Sequence, residues 1–156
     1  MIESTQMYAY PDQTTRLPDP DVRPDFYDSV PLRRLLAWFV DVTLVTIVAV
    51  VMLPFTAFTG IFFFPLMMLV IGFFYRWTML ANASATLGML ITGIQIRDSQ
   101  GQQLSNRAAM LHTFGYQVSI AFFVLQAVSV LMMLTGRRKQ GLTDHMLGTA
   151  AICRPL

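Results

Sequence analysis

Two long stretches of the chain carry no charged residue, Val42 to Tyr75 and Ala108 to Leu134, and the polar positions gather outside and between them. A helical run of about 20 apolar residues rises about 30 Å, the thickness of one bilayer core. The region from Leu35 to Leu80 holds two such runs, 35–54 and 61–80, joined by Pro54-Phe55-Thr56-Ala57-Phe58-Thr59-Gly60, a connector with a breaker at each end. The pattern predicts an antiparallel helix hairpin. Pro65 falls inside the second run, where neighbours must satisfy the carbonyl it frees, and Tyr75-Arg76-Trp77 closes that run with residues of the membrane interface. A third spanning helix is expected over 113–134, capped upstream by Ser105. Gly115, Gln117, Ser119, Gln126 and Ser129 make this segment polar enough for a re-entrant or broken helix as the alternative.

Between the second and third runs the character changes. Ala81 to Gly93 is rich in small residues, Ile94-Gln95-Ile96-Arg97 alternates, and Asp98-Ser99-Gln100-Gly101 is a turn signal, so a small β-hairpin-like insertion is expected there, on the cytoplasmic side. Residues 1–30 mix Asp with four prolines and are expected to be a disordered acidic tail. The prediction is thus an all-α membrane protein with three transmembrane helices in one domain over 31–153. The first thirty residues lack the basic start and apolar core of a cleavable signal, so the first helix is expected to act as its own membrane signal.

Composition agrees: 54% of the 156 residues are hydrophobic, 13% are charged and the mean hydropathy is +0.53, which excludes an ordinary soluble domain. The net charge of +2 hides an acidic N-terminal segment and a basic remainder. The basic residues lie at the ends of apolar runs, as membrane anchors do, and form no aromatic-interleaved stripe for nucleic acid. Across three spans Arg16, Arg23, Arg33, Arg34, Arg76, Arg97 and Arg107 share one side and Arg137, Arg138, Lys139 and Arg154 the other. That balance favours a cytoplasmic N-terminus, but the cluster after residue 134 argues that its own side is cytoplasmic too. Cys153 is the only cysteine, so neither an intrachain disulfide nor a cysteine zinc site is available, and no cofactor is implied.

Asp41 is the chemical oddity, a carboxylate inside the first apolar run. Arg34 lies seven residues earlier, within about 20° on the same helix face and about 10 Å away along the axis, so a direct contact is stretched. An intramembrane Asp needs a partner, either as a fixed counter-ion or as a carboxylate that exchanges a proton or cation. The fixed charge is the reading favoured here. His112 and His145 are too few for a metal site and read as interface histidines. Neither a catalytic triad pattern nor a phosphate-binding glycine loop occurs, and no enzyme is expected.

Three segments together resemble the RDD family of small bacterial membrane proteins. They are Arg34-Leu35-Leu36-Ala37-Trp38-Phe39-Val40-Asp41, then Ala85-Thr86-Leu87-Gly88 through Arg97-Asp98 with Gly101, and Arg138-Lys139-Gln140-Gly141-Leu142-Thr143-Asp144 through Gly148-Thr149. Met89, Thr143 and His112 stand where the family commonly has Lys, His and Arg. The resemblance implies a three-helix inner-membrane domain of largely unassigned activity, with transport of cations or protons proposed for some members. On that basis Arg34, Asp41 and Asp144 are expected to form a charge network at the cytoplasmic edge. The alternative is an accessory or assembly factor that binds other membrane proteins. Three spans make a poor pore, so beyond the lipid bilayer the expected partners are further copies of the chain or another membrane protein.

Overall fold

The computed structural model describes residues 15–154. Helix α1 (Val30–Met52) begins with Pro31 in its first turn, where the missing N–H costs nothing, and its 23 residues run about 35 Å. Two short 3-10 turns, Pro54–Thr56 and Thr59–Ile61, reverse the chain, with Ala57 and Phe58 both in the left-handed region. Helix α2 (Phe64–Ala83) returns against α1. Pro65 lies in the first turn of α2 and not in its interior, so it frees no carbonyl there. Both helices are long and apolar enough to cross a membrane. Ile47, Val51, Leu66 and Phe74 stay exposed on them, as side chains solvated by lipid can.

The third span does not form as one helix. α4 (Asn106–Ala121) and α5 (Phe123–Thr135) meet at an extended Phe122 with a bend of 115°. No Pro or Gly stands at the break; tertiary packing makes it. Helix α6 (Leu142–Leu147) is wedged between the two: a Cβ on Gly115 of α4 would lie 2.7 Å from Thr143, and Ser129 of α5 accepts the Leu142 N–H at 3.0 Å.

The expected hairpin is also corrected. After α3 (Leu87–Thr92), strand β1 (Ile94–Arg97) pairs with no neighbour in sequence but with β2 (Ala150–Cys153), antiparallel, Ile94 opposite Cys153. The turn at Asp98 to Gly101 closes on itself through Asp98 and leads into α4 instead of a second strand. The C-terminal tail thus comes back to the end at which α4 starts, where Arg137 also meets Asp21 at 2.8 Å.

Most of the buried core sits in this cap rather than between the long helices. Val30, Leu80, Met89, Ile94, Ile96 and Leu104 form one cluster. Leu17 and Tyr27 join Ala150 and Ile152 in a second, and the Tyr27 hydroxyl donates to Pro18 O at 2.8 Å. Residues 1–14 of the acidic segment lie outside the described residues, and the disorder expected over 1–30 does not extend to this packed stretch.

Candidate functional site

The face of α1 that carries Arg34, Ala37 and Asp41 recurs at spacings of three and four, which keeps all three on one side of the helix. The cap lands on this face. Asp41 is 7% exposed, and its carboxylate is filled: Oδ1 accepts from the Tyr75 hydroxyl at 2.7 Å and the Gly88 N–H at 2.9 Å, and Oδ2 accepts from the Thr86 hydroxyl at 2.6 Å. Thr86 also caps α3 by accepting from Met89 N–H, and the Tyr75 hydroxyl accepts the Leu87 N–H at 3.0 Å. Asp41 therefore fastens the start of α3 to α1 and α2. Ala37 leaves room for that approach, and Gly88 sits directly against its backbone.

Tyr75→Phe removes the hydroxyl that joins Asp41 to Leu87, taking one of three donors from the buried Asp41 carboxylate. A loss of about 1–3 kcal/mol is expected, read as a lower midpoint in thermal unfolding of the detergent-solubilised protein.

Arg34 does not reach Asp41. It pairs with Asp144 of α6, Nη2 to Oδ2 at 2.5 Å, in a site where the Asp144 side chain is 1% exposed. The same carboxylate holds the Gly141 N–H at 3.1 Å and the Thr149 hydroxyl at 3.2 Å, and lies 2.8 Å from His112 Nε2. Burial alone raises the Asp144 carboxyl, but Arg34 first, and the hydrogen bonds from His112 and Gly141, hold it well below the usual carboxylate range. An ionised carboxylate is acceptor-only, so Nε2 of His112 donates and Nδ1 is the open position of the neutral ring. Nδ1 is buried and has no hydrogen-bond partner.

The expected network is thus two sites: Asp41 in a neutral cradle of donors, and Arg34 with Asp144 and His112 in a charged one. Sequence reasoning overlooked Tyr75 and Arg76 as site residues and took His112 for an interface residue. Arg76 lies with its Cζ 3.9 Å above the centroid of the Tyr116 ring. Asp41, Arg34, Asp144, His112, Arg76 and Tyr116 line one cavity of about 820 Å³, together with Ser119, Gln126 and Ser129. The residues that made 113–134 look too polar for a lipid-facing helix therefore include three that face a cavity, where irregular backbone within a membrane is tolerated.

An apolar hairpin, a broken helix beside it and charged side chains gathered beneath a small cap define a helical membrane protein with a polar centre at one end. The RDD family pattern matches residues 29–148, and the chain belongs to the RDD family, a family of membrane proteins. Comparison with curated proteins and with solved structures gives no match.

Proposed function

We propose that this RDD protein is a non-enzymatic, proton-moving unit of the bacterial inner membrane, in which His112 takes up and releases the proton. The observation that supports this is the His112–Asp144 pair at the cavity wall, with Nδ1 unpartnered while Asp144 stays ionised. A proton added at Nδ1 makes an imidazolium 2.8 Å from the Asp144 carboxylate, which it then shares with Arg34. Asp41 suits this role less, because all three of its donors would have to give way before it could exchange anything. The test is proton flux into vesicles reconstituted with the purified protein under an imposed potential. Flux by the natural protein is expected to fall about tenfold or more in His112→Asn. A folded natural protein without flux would sink the reading and favour the accessory role.

The orientation follows from charge. All eleven Lys and Arg residues fall toward the cap end, and the 53–63 connector has none. By the positive-inside rule the cap and both chain ends are cytoplasmic, with α4 and α5 entering the membrane and turning back. In a Cys153→Ser background, Phe58→Cys is expected to label from the outside and Gly136→Cys only from the cytoplasm.

A further inference from the structure

The hydrogen-bonding capacity around the cavity is lopsided. Its carboxylates are Asp41, Asp144 and the exposed Asp28, and the first two have their oxygens taken by the donors named above. On the cationic side Arg34 and Arg76 are far from satisfied. Arg34 Nε and Arg76 Nε are buried without a hydrogen-bond partner, and among the described residues the Arg76 guanidinium donates no hydrogen bond. Arg34 has only its close ion contact with Asp144, and Arg76 has only the face of Tyr116. A guanidinium offers five N–H donors and no acceptor. The unmet demand at this wall is therefore for acceptor oxygens carrying negative charge, and a bound metal cation would find few free oxygens here.

The rest of the cavity fits the same ligand. Ser119, Gln126 and Ser129 add neutral hydrogen-bonding groups to its lining, and Trp38 and Val130 add apolar surface. Its volume is within the range of sites that hold a small molecule or a lipid headgroup. Arg76, with its Cζ over the Tyr116 ring, carries the planar fork with which arginine grips a phosphate through two parallel bonds.

We propose that this cavity is a phosphate-binding site, in which Arg76 and Arg34 hold the oxygens of a phosphate group that is either free in the cytoplasm or borne by an anionic lipid. The site shares its cavity with the proposed proton pair, but binding there does not depend on proton movement.

The experiment uses the full chain in neutral detergent, titrated calorimetrically with inorganic phosphate, and in nanodiscs containing phosphatidylglycerol or phosphatidylcholine, with retained lipid counted by native mass spectrometry. Saturable phosphate binding, or selective retention of phosphatidylglycerol, is expected. Phosphate alone identifies a soluble anion, phosphatidylglycerol alone a headgroup, and mutual displacement a site that accepts both. Arg76→Gln is expected to weaken the binding about tenfold or more, whereas Arg137→Gln, at the exposed contact with Asp21, leaves it unchanged. If Arg76→Gln does not fold, Arg76→Lys carries the test: it keeps the charge, loses the planar fork, and is expected to bind several-fold more weakly. Absence of saturable binding by either ligand overturns the proposal, and so does unaltered affinity in a folded Arg76 variant. Proton flux is read separately, so a protein that binds phosphate without moving protons retains this site and loses only the earlier reading.

Discussion

Asp144→Ala is expected to leave little folded protein in the membrane. The substitution removes the acidic partner of Arg34 among the described residues, and breaking a buried pair from one side costs about 3–5 kcal/mol because the remaining charge is left uncompensated. Here the loss is compounded, since His112 Nε2, the Gly141 N–H and the Thr149 hydroxyl lose their acceptor as well. Those groups join α1, α4 and the two ends of α6, so the damage reaches all three helices. The double variant Arg34→Met with Asp144→Leu is expected to recover much of the loss, because it removes both charges together. Thermal unfolding in detergent and abundance in isolated membranes measure both. The pH dependence has a definite sign. The folded pKa of Asp144 lies below its unfolded value, so its contribution is fully present above about pH 4 and is lost as the pH falls from there toward the folded pKa. A stability that stayed flat through acid titration, or an alanine variant as stable as the natural protein, would show that the pair does not hold the fold.

How far the sequence revealed this arrangement depends on whether the determining contact is local. The hairpin was legible because two uninterrupted apolar runs and their breakers suffice to specify it. Its ends shifted by a few residues, since the Pro31 turn carries the first helix back through Arg33 and Arg34 to Val30. β1 was legible from its alternation, but its partner was not, because pairing with a strand more than fifty residues away is set by the return of the tail. The polar positions from Gly115 to Ser129 marked the third run as one that could break, but not where, because α6, seated between α4 and α5, comes from further along the chain. Helical periodicity correctly put Arg34 and Asp41 on one face. It could not show that two different elements, α6 and the start of α3, land on that face and give each charge its own partners. His112 looked ordinary in isolation, and only the proximity of Asp144 makes it a site residue.

The contact between α1 and α3 gives the second large effect, expected for Gly88→Ala. The added methyl would lie 2.2 Å from the carbonyl oxygen of Ala37 and 2.9 Å from its Cα. Those are backbone atoms of a long helix, which cannot rotate aside as a side chain can, so α3 must move instead. Overpacking of this kind costs about 1–3 kcal/mol, and the displacement also stretches the Gly88 N–H bond to the Asp41 carboxylate, a charged hydrogen bond whose loss costs about 1.5–3 kcal/mol. Alanine's better helix propensity returns only about 1 kcal/mol, so the net result is a loss of a few kcal/mol. Two comparisons separate this cause from general fragility. Ala37→Gly should fail to rescue Gly88→Ala, because the obstruction is main chain and not the Ala37 methyl. Gly72→Ala, on α2 and also facing α1, places its Cβ 3.7 Å from Val45, an ordinary contact, and is expected to be neutral or slightly stabilising. Equal losses at Gly72 and Gly88, or recovery through Ala37→Gly, would mean that the start of α3 is not held on Asp41 by close backbone approach.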